Sequence, residues 1–133
     1  MGGSCETNEQ PTTSEHFDVF TAACRKYLSL FGLSEWKVYF GHELIEGVYA
    51  DSIVNSQDAV ATLRLSTVWH NRYRPLTDDE LDKDARHEVL HVLLGALVGA
   101  ANSRWVASEG MLDRVIERTV HLIEHALDAV EAR

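Results

Sequence analysis

The longest helical pattern in the chain has the sequence TDDELDKDARHEVLHVLLGALVGA, residues 77–100. Its first four residues, Thr77 to Glu80, form a capping box, in which hydroxyl and carboxylate side chains satisfy the free backbone N–H groups of a helix start. Beyond them, leucine, valine and alanine lie on almost every side of the helix. The pattern therefore predicts a buried central helix from Asp78 to about Ala100.

An HExxH motif, His87-Glu88-Val89-Leu90-His91, lies in the middle of this helix. Residues four apart lie on one helical face, so both imidazoles can reach one ion. Neutral imidazole suits Zn²⁺, and a catalytic zinc takes three protein ligands and leaves one position for water. Glu88 then falls beside that water as a general base. Because polar side chains are costly to bury without partners, the motif favours a zinc site over two surface histidines.

The third zinc ligand is expected from the last helical pattern of the chain. If that helix folds back on the central helix as a hairpin, the residue level with His91 lies near position 117. Glu117 lies just off the apolar face of the last helix, where its carboxylate can swing to an ion between the two helices. Asp113 and Glu109 remain open as alternatives, since both lie closer to the centre of that face.

The rest of the chain predicts a small sheet and a first helix. Apolar residues at helical spacing predict a helix from Ser14 to Phe31, capped by Ser14 and ended by Gly32. Aromatic, β-branched or alternating runs predict three strands, which are residues 36–40, 47–53 and 59–68. The predicted fold class is therefore α+β, with a small antiparallel sheet against helices.

Composition limits the function classes that the chain can serve. At 133 residues it fits one domain, expected over residues 14–133, and the polar residues 1–13 are expected to be a disordered leader. Acidic side chains outnumber basic ones by 21 to 12, which argues against nucleic acid or a membrane surface as partner. Two cysteines without a CxxC pair are typical of reduced thiols in a cytoplasmic protein.

With these residues the chain resembles the minimal gluzincin-type zinc metallopeptidases and small zincin-like proteins encoded by phages and prophages. The resemblance spans about Phe17 to Leu127 and is most specific in the HExxH helix. The order of the other elements adds to it, and their quoted sequences are Tyr27-Leu28 with Phe31-Gly32-Leu33, the strand at Trp36, the strand ending in Trp69, and Glu117-Arg118-Thr119-Val120.

The resemblance implies a zincin-like fold that hydrolyses peptide bonds through a zinc-bound water, with Zn²⁺ on His87, His91 and Glu117 and with Glu88 as the base. It also implies that strand 61–67 is the edge along which an extended peptide or protein substrate lies antiparallel.

The chain departs from the family pattern at two points. It has no C-terminal subdomain after the glutamate helix to wall the cleft, and no clear residue for the oxyanion, for which His121 and Tyr73 are the candidates. The prediction is therefore a zinc metallopeptidase, and the alternative is a non-catalytic zinc-binding interaction protein on the same scaffold.

Overall fold

The structure, a computed structural model, describes residues 8–102 and a set of helical positions nearer the C-terminus. Its helices and strands in chain order are β1 (Glu9–Pro11), α1 (Ser14–Leu30), β2 (Lys37–Glu43), β3 (Ala50–Asn55), β4 (Val60–Ser66), β5 (Val68–His70) and α2 (Asp78–Asn102). The later positions, called here the C-terminal helical positions, are 113, 116, 117, 120, 121, 123, 124, 125, 127, 128 and 131. This mixed architecture confirms the predicted α+β class.

Helix α2 is the central element and begins at the predicted residue. The Thr77 hydroxyl accepts a hydrogen bond from the backbone N–H of Glu80 at 3.2 Å, as expected at a helix start. Both α1 and β3 pack against this helix. Its fully buried residues are Leu81, Ala85, Val89, Leu90 and Val92. Within the described residues, no helix has both the length and the apolar character needed to cross a membrane.

Helix α1 starts one residue away from the predicted cap. The cap is Thr13 and not Ser14, because the Thr13 hydroxyl accepts from the His16 N–H at 3.2 Å while His16 Nδ1 accepts from the Thr13 N–H at 3.0 Å. A histidine in the place usually taken by glutamate concealed this capping box from the sequence analysis. Gly32 follows the helix with a φ of +74°, which confirms the predicted end.

The main sheet has the strand order β2-β4-β3. Strand β4 pairs parallel to β2 and antiparallel to β3, so the prediction of a wholly antiparallel sheet is wrong. The prediction that strand 61–67 is an edge is also wrong, because β4 lies between its two neighbours. The alternation of buried and half-buried residues along β4 indicates one core face, but it carries no information on the number of neighbouring strands. The edge strand that contacts α2 is β3.

Part of the predicted disordered leader, residues 1–13, forms a strand. Within it, β1 pairs antiparallel with β5, and Gln10 lies opposite Trp69. Thr12 is buried, and its hydroxyl donates to the Ser66 carbonyl at 2.6 Å. The pairing depends on a strand almost sixty residues away, so the local polarity of the leader could not predict it. Residues 1–7 lie outside the described residues.

Buried side chains form two clusters. The larger cluster fills the space between the main sheet, α1 and α2, and includes Phe20, Leu63 and Trp69. The smaller cluster joins α2 to the C-terminal helical positions. Its members are Leu90, Leu94 and Val120, with Ile116, Ile123 and Leu127 packed against them. The smaller cluster therefore holds the C-terminal helical positions against the helix that carries the HExxH motif.

Gly95 sets the distance between α2 and the edge strand. A Cβ atom on Gly95 would lie 2.6 Å from Val54 Cγ1, closer than real side chains approach. Alanine is preferred over glycine within a helix by about 1 kcal/mol, whereas overpacking of this kind costs typically about 1–3 kcal/mol. We therefore expect Gly95→Ala to lower the free energy of unfolding by about 1 kcal/mol in urea titration.

A double variant provides the control for this prediction. Removing the two methyl groups in Val54→Ala makes room for the new Cβ, so Gly95→Ala should be neutral or stabilising in that background. Equal destabilisation by Gly95→Ala in both backgrounds would show that the Val54 contact does not set the spacing.

Candidate metal centre

The two histidines of the HExxH motif converge at the surface of α2. His87 Nε2 and His91 Nε2 lie 3.2 Å apart, and the ring centroids are separated by 4.9 Å. The side chains are 21% and 19% exposed, so both are largely shielded while a path to solvent remains. The spacing of four residues thus brings two nitrogen donors together, as the sequence predicts.

Glu117, the favoured third ligand, lies next to this pair. Glu117 Oε1 is 2.7 Å from His91 Nε2. The ligand atoms of His87, His91 and Glu117 all lie within 4.8 Å of one another. Of the two alternatives, Asp113 is exposed and belongs to neither metal-compatible group of the described residues, whereas Glu109 lies outside them.

The spacing of these donor atoms fits a tetrahedral zinc ion. Two nitrogens that each bind one zinc at about 2.0–2.1 Å lie about 3.3 Å apart, close to the 3.2 Å between His87 Nε2 and His91 Nε2. The carboxylate of Glu117 is 51% exposed and has room to adjust around an ion. Two imidazoles and one carboxylate are a donor set that catalytic zinc sites use.

Glu124 orients the first histidine. Its Oε1 atom lies 2.8 Å from His87 Nδ1. With the proton on Nδ1 and donated to Glu124, Nε2 keeps its lone pair for a metal, the arrangement in which a carboxylate fixes the tautomer of a ligating histidine. Burial tends to lower the pKa of His87, but the hydrogen bond to Glu124 and the nearby carboxylates raise it.

Glu124 is not among the site residues predicted from the sequence. A signal for it is present, because Glu117 and Glu124 are seven residues apart and therefore share a helical face, as His87 and His91 do.

His121 completes a second, overlapping group of ligands. The atoms of His87, His121 and Glu124 also lie within 4.8 Å of one another. The His121 ring is 66% exposed, and its nitrogens lie 3.6 Å from Glu117 Oε2 and 3.5 Å from Glu124 Oε1. In this second group Glu124 would bind the metal directly, whereas in the first group it only orients His87.

Glu88 lies beside the donor atoms and belongs to neither metal-compatible group of the described residues. The residue is 7% exposed, and burial raises the pKa of its carboxyl to about 7. The Ser52 side chain, on β3, lies next to the carboxylate and, with the charge of His87, works against this rise in its pKa. A carboxylate with its pKa near neutrality is suited to take up a proton and release it again.

Two cavities flank the histidines along the edge strand β3. One, of about 470 Å³, is lined by His87, Glu88 and Ala50 among others, and half of its twelve lining residues are aspartate, glutamate, lysine or arginine. The other, of about 350 Å³, is lined by His91, by Ser52 and Val54 of β3 and by residues of α2 and the C-terminal helical positions. The donor atoms therefore lie at the junction of two open spaces that share one wall.

Substitutions of the two carboxylates distinguish the two groups of ligands. We expect Glu117→Ala to weaken zinc binding more than Glu124→Ala, since the first removes a ligand and the second an orienting contact worth about 10–100-fold in affinity. The measurement is zinc titration against a competing chelator, with Asp113→Asn as the matched control for loss of an exposed carboxylate. If Glu124→Ala weakens zinc binding more than Glu117→Ala does, the metal is bound by His87, His121 and Glu124.

The sequence-predicted ligands His87, His91 and Glu117 therefore meet at one place, with the predicted base Glu88 next to them on α2. Of the two oxyanion candidates, His121 lines the larger of these two cavities, whereas Tyr73 is 82% exposed and lines neither of them.

No family model, curated protein or solved structure matches the chain. The chemistry of the site is therefore inferred from its own residues and their geometry.

Proposed function

We propose that the protein is a zincin-like, zinc-dependent metallopeptidase, with zinc on His87, His91 and Glu117 and with Glu88 as general base. The observation that carries the proposal is the convergence of three donor atoms of zinc-compatible type and spacing, next to a buried carboxylate that is not among them. A structural zinc site needs no such additional carboxylate, whereas peptide hydrolysis needs a base.

Each side chain of the site has a distinct task in this reaction. Zinc, when bound, supplies a Lewis acid that polarises a peptide carbonyl and acidifies water. Glu88 accepts the proton of the attacking water at its carboxylate and delivers it to the nitrogen of the leaving amine. Ser52, on β3, lies next to the Glu88 carboxylate and favours its charged form, and Glu124 holds the His87 ring. His121 lines the same cavity as Glu88, and we assign to it the hydrogen bond to a developing oxyanion.

The edge strand β3 supports an extended peptide as the substrate. Among the described residues it pairs with β4 alone, so the backbone groups on its other side are available to bind an added strand. Because Ala50 lines one cavity and Ser52 and Val54 line the other, a peptide along β3 would pass the donor atoms between the two cavities. The strand proposed for this role from the sequence, 61–67, is paired on both sides and cannot take it.

One observation favours the second candidate, a zinc-binding interaction protein without activity. His121 lies close enough to Glu117 to become a fourth protein ligand. A zinc with four protein ligands has no position for water and is structural. The test compares the visible absorption of the cobalt-substituted parent with that of the cobalt-substituted His121→Phe variant. A changed spectrum in the variant indicates that His121 is a fourth ligand, whereas an unchanged spectrum indicates a site that keeps a position for water.

The proposed function is tested by hydrolysis of a mixed peptide library. The parent protein should cleave after loading with one zinc per chain, lose activity on chelation and regain it when zinc is returned. Cleavage that persists in a fully chelated sample would contradict the proposal. A protein that binds zinc and cleaves no peptide would leave the interaction protein as the better account.

A further inference from the structure

Arg86 is a buried cation on α2, directly before His87. Its side chain is 2% exposed. Arg86 Nη2 donates to Asp128 Oδ1 at 2.6 Å, and Nη1 donates to Glu131 Oε1 at 2.9 Å. Both carboxylates belong to the C-terminal helical positions.

Contacts between α2 and the C-terminal helical positions follow one antiparallel register. Arg86 pairs with positions 128 and 131, His87 pairs with position 124 and His91 pairs with position 117, so the partner number falls as the residue number on α2 rises. Leu90 and Leu94 lie on the same stripe of α2 as Arg86, at intervals of four residues, and pack with Val120 between these polar contacts. The ion pairs and the metal site therefore lie along a single seam.

Aliphatic packing alone fixes such a seam poorly. Leucine, valine and isoleucine on the C-terminal helical positions are similar in shape, and a slip of one helical turn is a shift of about 5.4 Å. A slip of that size would bring position 113 or 121 opposite His91 in place of Glu117. Arg86 prevents it, since its guanidinium donates in a fixed geometry to two particular carboxylates.

The energetics of Arg86 favour a role in register over one in stability. Asp128 and Glu131 are 49% and 58% exposed, so a buried guanidinium is paired with partners that remain largely in water. Its Nε atom has no hydrogen-bond partner among the described residues. Because the desolvation of such an ion often offsets its pairing, an apolar side chain here would be as stabilising. The well-attested benefit of a buried polar group is that it specifies one alignment of helices.

We propose that Arg86 is a positioning residue for the metal centre. Through Asp128 and Glu131 it fixes the alignment of the C-terminal helical positions along α2, and so keeps Glu117 at His91 and Glu124 at His87. The inference rests on the proposed function of the site as a zinc centre. Arg86 touches neither metal nor substrate, yet in this proposal it determines which side chains become ligands.

The test compares the parent with Arg86→Met, which keeps an unbranched apolar stem and removes the charged guanidinium. Zinc affinity is measured by competition with a chelator, and the visible spectrum of the cobalt-substituted protein reports the ligand set. We expect the zinc dissociation constant of Arg86→Met to rise about 10–100-fold, with altered cobalt bands and an unchanged far-ultraviolet spectrum. Arg86→Lys should restore part of the affinity, because a lysine pairs as a point charge without the two-armed geometry.

Two further variants separate position from stability. Leu63→Val lowers stability in the other cluster of the core and should bind zinc like the parent. Asp128→Asn combined with Glu131→Gln removes the partners and keeps Arg86, and should weaken zinc as Arg86→Met does, even if Arg86→Met fails to fold. The inference is overturned if folded Arg86→Met, or the double variant of Asp128 and Glu131, has the zinc affinity and cobalt bands of the parent. It is also overturned if Leu63→Val loses as much zinc affinity as these variants do. A parent protein that takes up no zinc overturns the proposed function itself, and this outcome is visible before any variant is made.

Discussion

Replacing Glu88 by glutamine is expected to lower peptide hydrolysis by at least about 100-fold while the zinc content stays the same. Glutamine keeps the size of the side chain and can still accept a hydrogen bond, but it has no basic carboxylate to take the proton of water. Zinc content should be unaffected, since Glu88 belongs to neither metal-compatible group of the described residues. The measurement is the initial rate on a mixed peptide library at equal measured zinc content.

The matched control for Glu88→Gln is Asp79→Asn, an acid-to-amide change on an exposed part of the same helix. It should leave both rate and zinc content at the level of the parent. Equal cleavage by the parent and Glu88→Gln would point to a contaminating protease or to another base. Loss of zinc along with activity in Glu88→Gln would mean that the glutamate supports the metal and not the proton transfer.

Replacing His87 and His91 together by alanine is expected to abolish zinc binding. The change removes two of the three histidines near the site, and the remaining His121 with its neighbouring carboxylates is a poor site for zinc. Zinc at about 100 times its dissociation constant should stabilise the parent by about 2.7 kcal/mol. For a domain of this size this is a rise in melting temperature on the order of 10 °C. The double variant should show no rise at all in thermal scans with and without zinc.

The control for this double variant replaces His70 and His125, two exposed histidines of the described residues. That variant should bind one zinc per chain and keep the full thermal shift. If it loses the metal and the variant of His87 and His91 retains it, the zinc site lies elsewhere. Both thermal experiments use metal-free protein as the starting sample, so that residual zinc does not hide the difference.

Helix α2 was predictable because its signals are local. The hydroxyl of Thr77 and the carboxylate of Glu80 lie within one turn of each other, and apolar residues surround the helix within a single stretch of sequence. The same holds for His87, Glu88 and His91, whose mutual position follows from the geometry of the helix. The start of α1 was missed by one residue because His16 fills a place where the capping rule expects glutamate.

The order of the strands was not predictable in the same way. The residues of β4 alternate in burial, and this alternation is compatible with either an edge or a central strand. Parallel pairing with β2 depends on a crossover connection and therefore on tertiary packing. The pairing of β1 with β5 is likewise a contact between distant parts of the chain.

The supporting residues of the site depend on how separate elements align. Glu124 shares a helical face with Glu117, but its pairing with His87 depends on the register of α2 against the C-terminal helical positions, and Ser52 comes next to Glu88 from strand β3. In the sequence Arg86 is indistinguishable from a solvated helix charge, and only the folded structure shows that it is buried. Local spacing thus predicts the two histidine ligands and the general base, whereas the residues that orient them depend on how the separate elements pack.

The central place of β4 has a consequence for the kinetics of folding. In the sheet order β2-β4-β3, neither β2 nor β3 has a partner in this sheet until β4 has been made. The local hairpin is β3 with β4, and the sheet is complete only when β2, which precedes both in the chain, pairs with the other side of β4. Contacts of this non-local kind slow folding. A nascent chain that ends before Val60 holds two strands of this sheet with exposed edges. We therefore expect the risk of aggregation to be highest at that stage of synthesis.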